Sequence, residues 1–515
     1  MTLRRASRFV GAGLLVVACA CVARAASPGS GGGAAPAGAS PAAPASGPGP
    51  SDTVILVSLD TTRADVFGGA YGNPLGLTPN LDAFAKDAVV FTDAWSVSNL
   101  TSMAHAGVFT SRYPSEVGIV GGEFHLDGRV TTLADLFHLY GWQTAAFTSG
   151  GHLTRSFGLD RGFDSFAYTP FQGSLWHTVP AGLDWLDHTR KPGPAMLFMH
   201  GYDGHCPYLA PAPFGRAWMD LSVAAPAADQ ALATPLGSES IFGDLFFSAE
   251  RMIGFLTRRD APRLWDAEAR AAVKAEAAQL RAKDGLQVVD VGPADVARVR
   301  AAYDGAMAYQ DAIFGELIAG LKRRGLYDKA WIVVFADHGE ALGEEGRFGH
   351  GESLSPAELH VPLFVHAPGV AARVVDAPVS LLDVLPTLAD AFAFTPPAQS
   401  QGTSLLPWLR GEEGPHHVVR FAEGNVDEAM VEEHGAELVF EGMRPGSEWF
   451  SPALHAASVT GPSFREEGRA LSTEERTHLR EAMETWRTTL TPLEFAEPAS
   501  KEAVEAMKAR GYFTP

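Results

Sequence analysis

Apolar residues along this chain come in two rhythms. Short unbroken runs at Val54–Leu59, Thr144–Thr148, Ala195–His200 and Trp331–Phe335 have the length of strands covered on both faces. Leu81–Ala88 belongs to the same alternation of short segments, and a helix is predicted at Leu133–Tyr140. A longer helix is predicted over Arg300–Arg323, where Phe314, Leu317, Ile318 and Leu321 share one face and Gly325 ends the pattern. Strands alternating with helices predict an α/β fold, a mainly parallel sheet with helices on both faces. Pro- and Ala-rich residues 207–236 break the rhythm, and a charged, helical stretch follows at 249–284, so 209–298 reads as a helical insertion. Beyond about 416 the alternation weakens, which divides a catalytic domain over 53–415 from a smaller C-terminal subdomain over 416–515.

The pattern before Thr53 is of another kind. Arg4, Arg5 and Arg8 precede the apolar stretch Phe9–Cys19, an export signal over residues 1–25. Two processing readings stand side by side: a small-residue cut after Ala23-Arg24-Ala25, or a lipobox at Val16-Val17-Ala18-Cys19 that leaves a lipid on Cys19. The chain is therefore expected outside the cytoplasm, as a periplasmic or outer-membrane lipoprotein or as a secreted protein. Residues 26–52 are rich in Ala, Gly, Pro and Ser and read as a tether with a reach on the order of 30 Å. Cys206 is the one cysteine downstream of Cys19 and Cys21, so no internal disulfide is expected in the mature chain. A net charge of −20 argues against nucleic acid as a partner. An anionic substrate then needs local positive charge, which a bound cation supplies.

The chemistry gathers where strands end. Asp60 follows the first run, and Asp337 and His338 follow the run at Trp331–Phe335. In open α/β sheets ligands bind beyond the carboxyl ends of strands, so segments distant in sequence can meet there. Two carboxylates and an imidazole suit a divalent cation, which can activate a hydroxyl nucleophile. Segment 98–114 clusters Asn99, Thr101, Ser102 and His105 at a helix start, where backbone N–H groups favour anions. On the residues alone, Thr101 or Ser102 is equally a nucleophile or a helix cap. Segment 198–208 packs His200, Asp203 and His205 into six positions, and His350 lies between two glycines.

These segments carry a resemblance. V-S-L-D-T-T-R-A-D-V-F-G, L-T-P-N-L-D-A-F-A, the 101–114 segment, D-G-H-C-P-Y, A-D-H-G-E-A-L-G-E-E-G-R-F-G-H-G, H-V-P-L-F-V-H-A-P-G, V-S-L-L-D-V-L-P-T-L and G-T-S-L-L-P-W-L occur in order between about 53 and 409. A weaker tail ends in A-R-G-Y. The chain resembles the sulfatase family of the alkaline-phosphatase superfamily. The resemblance implies an alkaline-phosphatase-like fold, Asp60, Asp337 and His338 as metal ligands, and a nucleophile at Thr101. It also shows two departures. Where sulfatases carry C-x-P-x-R, with Cys or Ser oxidised to formylglycine, this chain has Thr101, Met103 and His105; where they carry a second Asp, it has Thr61. Threonine cannot become formylglycine, and a threonine nucleophile resembles the phosphodiesterase, phosphonate-hydrolase and phosphoryl-transferase branches.

The expected function is metal-dependent hydrolysis of a small anionic phosphate or sulfate ester through a covalent intermediate, with the phosphoester favoured. Asp60, Thr101, Asp337 and His338 would hold the cation (Ca, Mn, Zn or Mg), and His205 or His350 would protonate the leaving oxygen. Asn99, Ser102, His105 and Asp203 form the expected substrate-binding set, Ser102 being also the rival nucleophile. One metal is preferred, with Asp203, His205 and His350 as the ligands of a second. The alternatives are a phosphoryl-group transferase acting on envelope lipid or glycan, and a non-catalytic, envelope-binding lipoprotein.

Overall fold

Strands that are apolar on both faces must lie in the middle of a covered sheet, and three of them end up side by side. The computed structural model describes residues 51–491 apart from 120–124, 170–173, 207, 209, 212, 215–292, 345–346, 352, 425–427, 442–463 and 468. In chain order the main part contains β1 (Thr53–Leu59), α1 (Pro79–Phe84), β2 (Val89–Trp95), α2 (Thr101–Thr110), α3 (Leu133–Leu139), β3 (Gln143–Ser149), β4 (Ser165–Thr169), α4 (Leu175–Asp184) and β5 (Ala195–Gly201). There follow α5 (Pro293–Arg323), β6 (Trp331–Phe335), β7 (Ala341–Leu342), β8 (Phe348–Gly349), α6 (Pro356–Leu359), β9 (His360–His366), β10 (Arg373–Val375), β11 (Val379–Ser380), α7 (Val384–Ala391) and α8 (Leu406–Arg410).

The large sheet has the order β10-β2-β9-β6-β1-β5-β3-β4, with β11 also paired to β2. β1 runs parallel to both β5 and β6, and every residue of these three strands is buried. β9 alone in this sheet is antiparallel to its neighbours, β2 and β6. The sheet is thus mainly parallel, as the alternation predicts. β7 and β8 form a separate two-stranded ladder.

Helix α5 begins at Pro293, inside the stretch read as an insertion; its apolar stripe starts with Val296 and Val299 and continues through Ala302, Tyr303, Ala306 and Met307 to Phe314, Leu317 and Leu321. The rest of that insertion (215–292), the export signal and residues 26–50 of the tether lie outside the described residues. α2 is unusual in having no exposed face; all ten of its residues are buried.

The described C-terminal part builds a second layer. β12 (Val419–Glu423), β13 (Glu428–Glu433), β14 (Ala436–Glu441) and β15 (Phe464–Glu467) form an antiparallel four-stranded sheet. α9 (Thr473–Thr489) lies on it through Leu479, Met483 and Trp486, spaced i, i+4, i+7, which pack with Val431 and Leu438. Among the described residues no helix is long and apolar enough to cross a membrane.

Candidate active site

Register brings the chemistry together. Ser58 of β1 pairs with His200 of β5 on one side and Phe335 of β6 on the other. Asp60 and Asp337 each follow two residues beyond that level, and both are fully buried. The chain turns sharply after Asp60: Thr61 adopts φ 51°, a left-handed conformation costly for a β-branched residue. Three hydrogen bonds hold it there. The Thr61 amide donates to Asp337 Oδ1 at 3.2 Å, the Tyr303 hydroxyl of α5 donates to the Thr61 carbonyl at 2.7 Å, and the Arg63 amide donates to that same hydroxyl at 3.0 Å. Arg63 itself is spent on Asp65, Glu344 and the Glu340 carbonyl.

Thr101 is the first residue of α2, and its Oγ lies 3.3 Å from His338 Nε2 and 3.5 Å from Asp60 Oδ2. The first intrahelical bond runs from the Ala104 amide to the Leu100 carbonyl, so the amides of Thr101, Ser102 and Met103 precede the ladder at the end that attracts anions. His338 Nδ1 pairs with the Gly339 carbonyl at 2.9 Å, which leaves Nε2 as the ligand nitrogen. Asp60, Asp337 and His338 bring one donor atom each within 4.8 Å of one another. Asp60 Oδ1 and Asp337 Oδ2 are buried without a hydrogen-bond partner. Burial pushes the Asp60 carboxyl up to about 7. A carboxylate so placed, with no lysine or arginine against it among the described residues, needs a cation to stay charged. The donor set therefore fits a divalent metal.

Histidines surround these groups. His200 sets Nε2 2.9 Å from Asp60 Oδ2 and Nδ1 3.1 Å from the Ser149 carbonyl, so it orients Asp60. The imidazoles of His338 and His350 lie 4.5 Å apart, and those of His350 and His205 4.7 Å apart. His350 Nδ1 reaches Glu340 at 3.2 Å, and the His205 ring stacks on Tyr202. Burial drives four imidazoles toward the neutral form: His105 and His205 fall to about 3, His200 to about 4, and His350 well below its ordinary value.

With that geometry in place, likeness to known proteins becomes informative. A family model described as Sulfatase matches residues 52–394. The chain belongs to the sulfatase family. Choline-sulfatase of Rhizobium meliloti is 24% identical over 398 residues, covering 70% of this chain and 72% of that protein. Bovine arylsulfatase K is 37% identical over 114 residues, 22% of this chain, so the chain spans about a fifth (21%) of that relative's length. A phosphonate monoester hydrolase from Silicibacter pomeroyi superposes with a TM-score of 0.60 at 21% identity, covering 86% of this chain and 96% of its own, and shares the fold.

Within this sulfatase-family centre, Asp60, Thr101, Asp337, His338, His350 and His205 come together; other expected residues do not. His105 lies beneath the site rather than facing a substrate. Its Nδ1 meets the Thr101 carbonyl at 2.7 Å and its Nε2 the Ser58 hydroxyl at 2.9 Å, because a side chain four residues into a buried helix points back along it. Asn99 donates its amide to the Ser353 carbonyl and to Glu358, which binds it into the loop around Ser353 and leaves no N–H for substrate oxygens. Asp203 turns away: its two oxygens accept from the Ser174 hydroxyl and, at 2.8 Å, the Leu175 amide, capping α4. A second metal position at Asp203, His205 and His350 is therefore not assembled. Ser102 is fully buried, and its Oγ has no partner. His200, which the sequence places in a cluster with Asp203 and His205, has no role in the expected set. It sits in the strand beside the one ending at Asp60, and that pairing, which the sequence does not show, gives it its role.

Proposed function

We propose that the protein is an exported, metal-dependent ester hydrolase that uses Thr101 Oγ as nucleophile on a singly charged phosphorus or sulfur ester, with phosphodiesters favoured over sulfate esters. The observation that carries this reading is Thr101 Oγ at the head of α2, within 3.5 Å of both His338 Nε2 and Asp60 Oδ2. A divalent cation held by Asp60, Asp337 and His338 would favour the alkoxide and offset charge on the reacting group. Thr101 Oγ, its proton lost to solvent, attacks phosphorus or sulfur as the bond to the leaving oxygen breaks. Water then displaces Thr101 Oγ from the covalent intermediate, and the N–H groups at the start of α2 face the non-bridging oxygens in both steps. His350, held neutral by burial, gains proton affinity when an anion binds beside it and can then pass a proton to the leaving oxygen, with His205 as the neighbouring donor.

Charge decides the substrate class. Two carboxylates balance a dication, and His105, His200, His205 and His350 are neutral near pH 7. Among the described residues no fixed positive charge is left for a second negative charge, so phosphodiesters, phosphonate monoesters and sulfate monoesters fit better than a phosphate monoester dianion. A threonine that cannot be converted to formylglycine favours the phosphorus esters among these. Export rests on the basic head at Arg4, Arg5 and Arg8 and the apolar run after it. The test is initial rates on aryl esters with one leaving group: phosphodiester, sulfate and phosphate monoester, each with and without chelator. Chelator-sensitive turnover fastest on the diester supports the reading. Fastest turnover of the sulfate overturns the preference, and chelator-insensitive turnover overturns the mechanism.

A further inference from the structure

The C-terminal sheet and α9 do not close flush against the main sheet. Between them lies a cavity of about 500 Å³ whose wall includes Tyr113, Glu116, Ser400, Phe421 and Trp486. One side is aromatic: Trp486 stacks on Phe421 at 4.9 Å with rings 3° from parallel and meets Tyr113 edge-on at 4.9 Å. The polar residues of the wall carry unused capacity. Glu116 Oε1 accepts from the Thr491 amide at 2.8 Å and its hydroxyl at 3.1 Å, whereas Oε2 is buried with no partner among the described residues. Ser400 Oγ is equally unpartnered among the described residues, and Trp486 Nε1 has only the Tyr113 hydroxyl beside it. Native proteins seldom leave buried acceptors and donors unmatched, and two such groups in one cavity wall, with an indole N–H beside them, point to an absent ligand.

The charges around the cavity define what that ligand is. Arg420 is neutralised by Asp93 at 2.9 Å and by Glu432, and His417 is held by Asp383 at 3.0 Å. Arg112 in turn is matched by Glu116 Oε1 at 3.5 Å, so among the described residues each cation at the cavity already faces a carboxylate and none is spare for an anion. Tyr113 and Glu116 follow the C-terminal end of α2 while Thr101 opens it, and ten helical residues span about 15 Å. The cavity is therefore separate from the reacting group.

We propose that this cavity binds a neutral pyranose. Such a ring offers a flat C–H face to an aromatic wall, and its hydroxyls both donate and accept, as Trp486 Nε1, Glu116 Oε2 and Ser400 Oγ require. The volume lies in the range of small-molecule sites. A sugar held there anchors the protein on a glycan without occupying the catalytic centre, whatever ester that centre cleaves.

Isothermal titration of the full chain with methyl β-glucoside, methyl β-galactoside and N-acetylglucosamine tests this. At least one sugar is expected to bind with a millimolar Kd. Trp486→Phe, which keeps the ring and removes the N–H, and Ser400→Ala are each expected to weaken it roughly tenfold with aryl-ester turnover unchanged. Absence of binding by all three sugars overturns the proposal, as does binding that neither variant alters. Loss of ester hydrolysis in the parent protein bears only on the catalytic reading.

Discussion

Thr101 and Ser102 are adjacent hydroxyls, and their surroundings separate them. Only Thr101 has a carboxylate and an imidazole nitrogen within 3.5 Å. Thr101→Ala is expected to lower kcat by at least about 10³-fold, with Ser102→Ala far milder; single-turnover kinetics compare the two. His200 acts through Asp60, so His200→Ala should weaken divalent-metal affinity roughly 10–100-fold while the circular dichroism spectrum is kept, as read by calorimetric metal titration. Asp60, Asp337 and His338 are legible in the sequence because each is a reactive side chain at the end of an apolar run, whereas Thr101, at a helix start, stands out from Ser102 only through the family resemblance. The sequence could not announce what His105 and Asn99 do. A buried imidazole that meets a serine hydroxyl and a helix carbonyl looks, in one dimension, like one that meets a substrate.

At the level of elements, legibility followed burial. β1, β5 and β6 are enclosed on both faces and read as unbroken apolar runs. β2 was not singled out: Thr92 and Asp93 interrupt it where the register shifts between Phe91 and Ala94 in its pairing with β9, and a bulge erases the simple pattern. Asp203 belongs to α4 rather than to the metal. Asp203→Ala should cost about 1 kcal/mol in urea unfolding and leave the metal count per chain unchanged; loss of a metal equivalent would return it to the site. The left-handed turn at Thr61 depends on α5. Tyr303→Phe strips a hydroxyl that serves both the Thr61 carbonyl and the Arg63 amide, and should destabilise the fold by about 1–3 kcal/mol in the same assay.

Across the whole molecule, the two sheets meet through buried acid. Glu423 of β12 accepts from the Ser115 amide at 2.7 Å and its hydroxyl at 2.6 Å, and burial pushes its carboxyl from 4.5 up to about 7. Its folded form holds a proton that the unfolded chain releases. The stabilisation is thus complete below about pH 4.5 and is lost as pH rises through about 7. Melting temperature at fixed metal concentration should fall between pH 5.5 and 8, and Glu423→Gln should flatten that slope; an unchanged slope would put the pH dependence elsewhere. The sequence showed the C-terminal part only as a loss of rhythm, since an antiparallel sheet alternates residue by residue and lacks the long apolar runs of the main sheet. One consequence concerns time. α2 has no exposed face, so no small fraying of the helix reaches water. The ladder amides of its second half should exchange with deuterium only as fast as the entire domain opens. Thr101, the proposed nucleophile, is then expected to stay fixed on the timescale of turnover, so that motion limiting the rate would belong to the substrate's approach and the product's departure.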